Sequence, residues 1–212
     1  MPRRRRRLPR RSSAVPSGGF EASARERGYR FPAGVDEAGR GPLAGPVIAA
    51  AVILPPGYEN PAIRDSKKLS PARRERLFAV IEADASACAV AAATPEEIDG
   101  LNILRASLLA MRRAVEALAV PADFLFVDGI HAVPCGLPQE ALVRGDSRCL
   151  SVAAASILAK VSRDRMMEEY DRLYPGYGLS AHKGYPTPEH LAALRRLGPS
   201  PIHRRTFRGV IP

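Results

Sequence analysis

The segment Val35-Asp-Glu-Ala-Gly-Arg-Gly-Pro-Leu-Ala-Gly-Pro-Val47 places two adjacent carboxylates, Asp36 and Glu37, directly before the bare backbone of Gly39, Arg40 and Gly41. Two further acids stand in comparable settings: Asp128 follows the apolar run Asp-Phe-Leu-Phe-Val, and Asp146 follows Ala141-Leu-Val143. Four carboxylates drawn together repel one another and resist ionising together. The usual reason to keep such a group is a bound cation, and an all-oxygen ligand set selects Mg²⁺ or Mn²⁺ rather than zinc. Each acid also has a plainer reading. A lone Asp at a strand end is usually a turn former or cap, Asp128-Gly129 could be a turn, and Asp146 could cap the helix after it. The occurrence of the set at equivalent strand ends is what argues for chemistry.

Those positions depend on the elements around them. The pattern predicts a first short strand closing at Val35, a second over Pro46–Leu54, a weaker third over Ala87–Ala93, a fourth over Asp123–Val127 and a short fifth over Ala141–Val143. Ser70-Pro71 and Thr94-Pro95-Glu-Glu97 read as helix starts, the second as a capping box. Leu101, Leu104, Leu108, Met111, Val115 and Leu118 recur at helical spacing. A long helix rich in small residues is predicted from about Arg148 to Tyr170, and Thr187-Pro188 caps a last one that stops at Gly198-Pro199. The order predicts an α/β fold, a mixed sheet with helices on its faces. In such sheets function collects beyond the strand ends. Adjacent strand residues face opposite ways, so Asp36 and Glu37 share a site only where the strand ends or bulges. The glycines that follow permit that turn.

The setting is narrowed by composition. A chain of 212 residues suits one domain with an appendage, and its 46% apolar and 25% charged residues are ordinary for a globular protein. No stretch approaches the roughly 18 apolar residues needed to cross a bilayer. Three scattered cysteines with no Cys-x-x-Cys pair argue against zinc and for a reduced, cytoplasmic protein. The net charge of +10 is uneven: residues 1–30 hold ten arginines and two glutamates, leaving only +2 for the rest. Residues 1–28 therefore read as a disordered Arg-rich tail, and 29–212 as the folded domain. Nucleic-acid attraction, organellar targeting and no role at all stay open for the tail, although prolines at 2, 9 and 16 interrupt the amphipathic helix that targeting needs.

The 35–47 segment closely resembles the signature of ribonuclease HII, the type 2 ribonuclease H family. The resemblance continues through Asp65-Ser-Lys-Lys-Leu-Ser70, Ile98-Asp-Gly-Leu-Asn-Ile103, Phe126-Val-Asp-Gly129, Gly145-Asp-Ser147, Ala153–Val161, His182-Lys-Gly-Tyr-Pro-Thr187 and His203–Arg208. It runs in order over roughly Tyr29 to Arg208. It implies a ribonuclease H-like mixed five-stranded sheet flanked by helices, with a helical C-terminal extension. It implies hydrolysis of the RNA strand of RNA–DNA hybrids and incision at single ribonucleotides in duplex DNA, leaving 5′-phosphate and 3′-hydroxyl ends. Asp36, Glu37, Asp128 and Asp146 match the family's acids for two divalent ions, Mn²⁺ or Mg²⁺. Gly39-Arg40-Gly41 matches the segment that contacts the ribose 2′-hydroxyl, and Tyr185 a tyrosine that packs on the deoxyribose after the ribonucleotide. Ser66, Lys67 and Lys68 are expected at phosphates, with Lys183 and Arg144 as further candidates. Lys160 is expected to pack or to pair with an acid, and Cys149 to be a small apolar filler.

Plainer readings and rivals stand beside these. Tyr185 could merely cover the core, and surface lysines are usually only solvated. Another nuclease of the same fold would carry comparable acids but not Gly-Arg-Gly joined to His-Lys-Gly-Tyr-Pro-Thr. A non-catalytic nucleic-acid-binding module would need basic residues but no acidic quartet, since carboxylates facing phosphate weaken binding unless metal intervenes. A monomer is expected; no membrane contact is expected, and a replication-protein partner has no support in the sequence.

Overall fold

The structure is a computed structural model that describes residues 16–64 and 66–210. One five-stranded sheet has the order β3-β2-β1-β4-β5, built from β1 (Pro32–Ala38), β2 (Val47–Ile53), β3 (Ala87–Ala93), β4 (Phe124–Asp128) and β5 (Gln139–Leu142). β1 is antiparallel to β2 and β2 to β3, whereas β1–β4 and β4–β5 are parallel. The sheet is therefore mixed, as expected, and β1, β4 and β5 end on one edge. Seven α-helices accompany it among the described residues: α1 (Gly19–Glu26), α2 (Pro71–Asp84), α3 (Pro95–Leu101), α4 (Ile103–Glu116), α5 (Leu150–Leu173), α6 (Leu179–His182) and α7 (Pro188–Leu197).

β2 is buried along its whole length, so its alternation feeds two cores. Val47, Ala49, Ala51 and Ile53 meet Ala106, Ala110, Met111 and Ala114 of α4 on one face. Ile48, Ala50 and Val52 meet Ala153, Ala154, Ile157 and Leu158 of α5 and Leu77, Phe78 and Ile81 of α2 on the other. Ser70, Thr94 and Thr187 cap α2, α3 and α7 by accepting from the backbone N–H three residues on. The helical run read from Leu101 is cut at Asn102, whose φ of 75° ends α3 and whose side chain caps α4 through Arg105 N. A smaller core of Leu43, Ala44, Met167, Tyr177, Leu179, Leu194 and Ile202 joins α6 and α7 to α5, as the C-terminal extension.

Two expectations are corrected. β1 does not close at Val35: its pairing with β4 stops at Val35↔Val127, but pairing with β2 continues through Asp36↔Ala50, Glu37↔Ala49 and Ala38↔Ile48. The domain also begins earlier than residue 29. α1 packs on the sheet, with Phe20 and Tyr29 against a core of Ala24, Phe124, Phe126, Leu142 and Val152. Glu21 is buried, and its Oε1 accepts from Ser151 N (2.7 Å) and Cys149 Sγ (3.2 Å) at the start of α5. A carboxylate at a helix N-terminus is favourable there, so polar Glu21 belongs to the fold. Cys149 is more than an apolar filler, since its thiol donates to Glu21. The rest of the expected tail, residues 1–15, lies outside the described residues.

A chain starting at Pro16 should unfold at the same temperature as the full chain. One starting at Arg30 loses the Phe20 and Ala24 packing and strands the Ser151 N–H, and should lose roughly 3–5 kcal/mol. That is on the order of 10 °C in thermal unfolding followed by circular dichroism.

Candidate active site

Parity on the strands decides which acids meet. Ala33 and Val35 of β1 and Leu125 and Val127 of β4 face α4. The residues between and after them, Gly34, Asp36, Phe126 and Asp128, therefore face α5. Because Val35 pairs with Val127 in parallel register, Asp36 and Asp128 follow side by side at the strand ends. Glu37 has the opposite parity and still pairs with Ala49 of β2, but it lies beyond the last β1–β4 pair, where the side toward β4 is open.

A cleft of about 240 Å³ opens there, lined by Asp36, Glu37, Gly39, Arg40, Gly41, Ser66, Lys67, Asp128, Ser156, Lys160, Arg163 and Tyr185. A larger hollow of about 740 Å³ lies under α1, away from these acids, and its buried Glu21 is already engaged by α5. The chemistry-bearing residues are thus in the smaller cleft.

Asp36 is 5% exposed. Burial, then the neighbouring Glu37 and Asp128 charges, push its carboxyl well above the usual value, against bonds from Glu37 N (2.7 Å) and Ser156. Burial also raises Glu37, partly opposed by the Arg40 guanidinium 3.2 Å away. The Glu37 Oε2 atom is buried with no hydrogen-bond partner. Asp128 Oδ1 accepts from Gly145 N (2.7 Å), which ties the 3-10 turn Gly145–Ser147 to β4. Asp146 lies in that turn, buried, and does not line the cleft. As the side chains stand, no group of three or more His, Cys, Asp or Glu among the described residues is arranged to hold a metal ion. The donor set nevertheless suits a hard divalent cation: it is all oxygen, its carboxylates are desolvated and mutually repelling, and one buried oxygen is orphaned.

Around the acids, Gly39 has φ +97°, and a Cβ there would stand 2.1 Å from Arg163 Nε. Gly41 is under no such constraint; a Cβ there would point at Tyr185 Cε1, 3.4 Å away. The first glycine is required by the turn, and the second keeps the space before the ring open. Tyr185 is 45% exposed at the cleft rim, and its backbone carbonyl accepts from His190 Nδ1 (2.9 Å). Ser66 is buried, its hydroxyl 2.9 Å from that of Ser156, while Lys67 is exposed on the lining. The Lys68 side chain lies outside the described residues. Lys183 is ion-paired to Glu168 (2.7 Å), and Lys160 to Asp164 (2.6 Å), the acid partner expected for it. Arg144 stands in the left-handed region (φ 57°) ahead of the Gly145 turn. Ser156 and Arg163 were not singled out from the sequence. The signal was present: positions 156, 160 and 163 on α5 have the spacing of one helical face.

The family model described as Ribonuclease HII matches residues 33–210. Ribonuclease HII of Geobacter sulfurreducens is 60% identical over 191 residues, covering 90% of this chain and 88% of that protein. Ribonuclease HII of Syntrophotalea carbinolica is 58% identical, covering 90% and 91%. Alignments of that length do not fit within 29–212, so the similarity reaches into α1. Among solved structures, ribonuclease H2 from Pyrococcus horikoshii superposes with a TM-score of 0.74 at 29% identity, over 85% of this chain and 95% of that one.

Relief of carboxylate repulsion is directly measurable. Without divalent ions at pH 7, Asp36→Asn should raise the unfolding temperature by a few degrees. Asp36 is held above its ordinary value of 3.8, so its ionised form destabilises the fold at neutral pH. The advantage of the Asn variant should be full above the raised folded value and vanish as pH falls to 3.8. Mn²⁺ should raise the melting point of the wild type and not that of the variant, in a thermal shift titration.

Proposed function

The chain belongs to the ribonuclease HII family and is an endoribonuclease of the ribonuclease H class; from that premise we propose that it hydrolyses the RNA strand of RNA–DNA hybrids and also incises duplex DNA at single embedded ribonucleotides. The observation that carries this reading is one cleft lined by Asp36, Glu37 and Asp128, by the bare backbone of Gly39-Arg40-Gly41, and by the exposed ring of Tyr185. The acids serve hydrolysis, and the two neighbouring segments serve the choice of sugar.

Asp36, Glu37 and Asp128 would hold two divalent ions, Mn²⁺ or Mg²⁺; Asp146 joins them on the strength of the sequence resemblance. Such ions supply Lewis-acid stabilisation of charge developing at phosphorus and lower the pKa of an attacking water. The products are 5′-phosphate and 3′-hydroxyl ends. Burial of Asp36 lowers the effective dielectric around that carboxylate and strengthens its own charge interactions. Arg40, paired with Glu37, holds that carboxylate at the rim.

The ribose 2′-hydroxyl distinguishes RNA from DNA at one nucleotide. Gly41 leaves backbone accessible to it, because no side chain stands between the loop and Tyr185. Tyr185 then packs its ring on the deoxyribose that follows, where no 2′-hydroxyl intervenes. Lys67, with Ser66 and Lys68, would meet the backbone phosphates. The arginines of residues 3–11 would add sequence-independent, salt-sensitive attraction. A monomer acting in the cytoplasm completes the reading. The sequence contains no helix among the described residues long and apolar enough to cross a membrane.

The test is incubation with a DNA duplex carrying one ribonucleotide, with and without Mg²⁺ or Mn²⁺. Cleavage at that nucleotide should require the ion, and Asp36→Asn or Asp128→Asn should nearly abolish it while substrate binding survives. Tyr185→Ala should lose stacking of about 1–3 kcal/mol, roughly 5- to 150-fold in rate at a single ribonucleotide. Tyr185→Phe should lose much less. Equal, small losses for Tyr185→Ala on this duplex and on a long hybrid would overturn the junction reading.

A further inference from the structure

Among the described residues, the largest fully buried side chains are two arginines, Arg163 on α5 at 1% exposure and Arg204 near the C-terminus at 0%. The bonds their guanidiniums make run to backbone carbonyls, and those carbonyls belong to the loops that flank the cleft. Arg204 donates from Nε to Gly45 O (2.9 Å), from Nη1 to Arg40 O (3.0 Å) and Pro42 O (2.7 Å), and from Nη2 to Gly39 O (2.6 Å). Arg163 donates from Nε to Pro46 O (3.2 Å), from Nη2 to Ala44 O (3.0 Å) and from Nη1 to Lys183 O (3.0 Å). Burying a guanidinium is costly unless its donors are filled. The planar fork of arginine suits several converging carbonyls in a way an ammonium does not.

The arrangement has a directional consequence. In a trans peptide the carbonyl and the following N–H point opposite ways. Turning the Gly39 and Arg40 carbonyls onto Arg204 therefore aims the N–H groups of Arg40 and Gly41 away from it. The same logic holds one step on: Pro42 O faces Arg204, and Leu43 N donates to Gly184 O (2.8 Å) on the tyrosine loop. Arg163 bridges the same seam, with Ala44 and Pro46 on one side and Lys183 on the other. Tyr185 is two residues beyond that carbonyl. Gly39 is fitted to the seam, since a Cβ there would collide with Arg163 Nε and Cδ at 2.1 and 2.4 Å.

We propose that Arg163 and Arg204 are positioning residues for sugar choice: Arg204 orients the ribose-facing amides of residues 40 and 41, and Arg163 sets the distance from that loop to Tyr185. The pair thereby determines how strictly cleavage demands a ribonucleotide followed by a deoxyribonucleotide. This rests on the proposed reading of the two loops. Neither arginine needs to touch substrate, because each acts through the backbone it holds.

The experiment uses the full chain with Arg163→Lys, in which one ammonium replaces a three-pronged contact, and measures kcat and KM separately on two substrates. On a duplex with one ribonucleotide kcat should fall roughly 10- to 100-fold, the scale of a 1 Å misplacement. On a long RNA–DNA hybrid, where the next sugar carries a 2′-hydroxyl and the Tyr185–deoxyribose contact is not made, the loss should stay within a few-fold. Gly184→Ala tests the seam with both guanidiniums intact, because its Cβ would stand 2.7 Å from Ala44 O; it should show the same selective loss. A purely structural role would lower activity on both substrates by one factor, that of the folded fraction in a thermal melt run alongside. Equal loss on both substrates in either folded variant overturns the proposal. Failure of the wild type to cut the single-ribonucleotide duplex would instead overturn the reading beneath it.

Discussion

The close approach of α5 to β1 is the constraint on which the rest of the molecule depends. Gly34 faces α5, and a Cβ on it would lie 2.2 Å from Ser151 C and Val152 N, inside the helix backbone. The helix answers with Ala153, Ala154 and Ala155, all fully buried. Small residues on both sides bring backbone to backbone, and the helix then runs along the acidic strand end. Ser156 consequently reaches Asp36, Lys160 and Arg163 line the cleft, and the helix start is held by Glu21 from α1. A larger residue at position 34 would push away the wall of the site together with the helix.

Charge is distributed around the cleft in two opposite ways. The acids are buried with too few partners: Asp36 sits beside Glu37 and Asp128, and Glu37 keeps an unpartnered oxygen. The buried arginines are satisfied instead by neutral carbonyls; desolvation moves Arg163 down to about 10 and Arg204 to about 9. The bonds of those guanidiniums run to backbone carbonyls, and no ion pair joins them to Asp36, Glu37 or Asp128 among the described residues. Separating the two charge types lets one cleft be rigid and still electrostatically unsatisfied.

The N-terminal boundary shows how local composition misleads. Residues 17–28 contain glycine, serine and charged residues and read as a continuation of the arginine-rich start. In the fold, Glu21 is the anion at the start of α5 and Phe20 packs edge-on to Phe126 at 5.6 Å. Neither contact has a local signature, since its partner lies more than a hundred residues away.

The strand order of apolar runs, the caps at Ser70, Thr94 and Thr187, and the acids at strand ends were all legible from the chain, because each is written in neighbouring residues. The expectation that Asp36 and Glu37 could share a site only at a strand end was a consequence of period two, and β1 meets it by losing its β4 neighbour after Val35. The segments 35–47, 126–129 and 182–187 likewise carried the family resemblance. Part of the cleft's membership was decided only by tertiary structure. Asp146 sits next to the Gly145 amide that Asp128 holds, while Ser156 and Arg163 enter because α5 crosses β1 at Gly34. Arg204 lies in the resembling segment His203–Arg208, but its role as anchor of residues 39–45 shows only when the chain returns across some 160 positions to meet them. Side-chain periodicity encodes which face a residue occupies. It does not encode which distant backbone carbonyls will be waiting there, and those carbonyls are what turned two arginines inward.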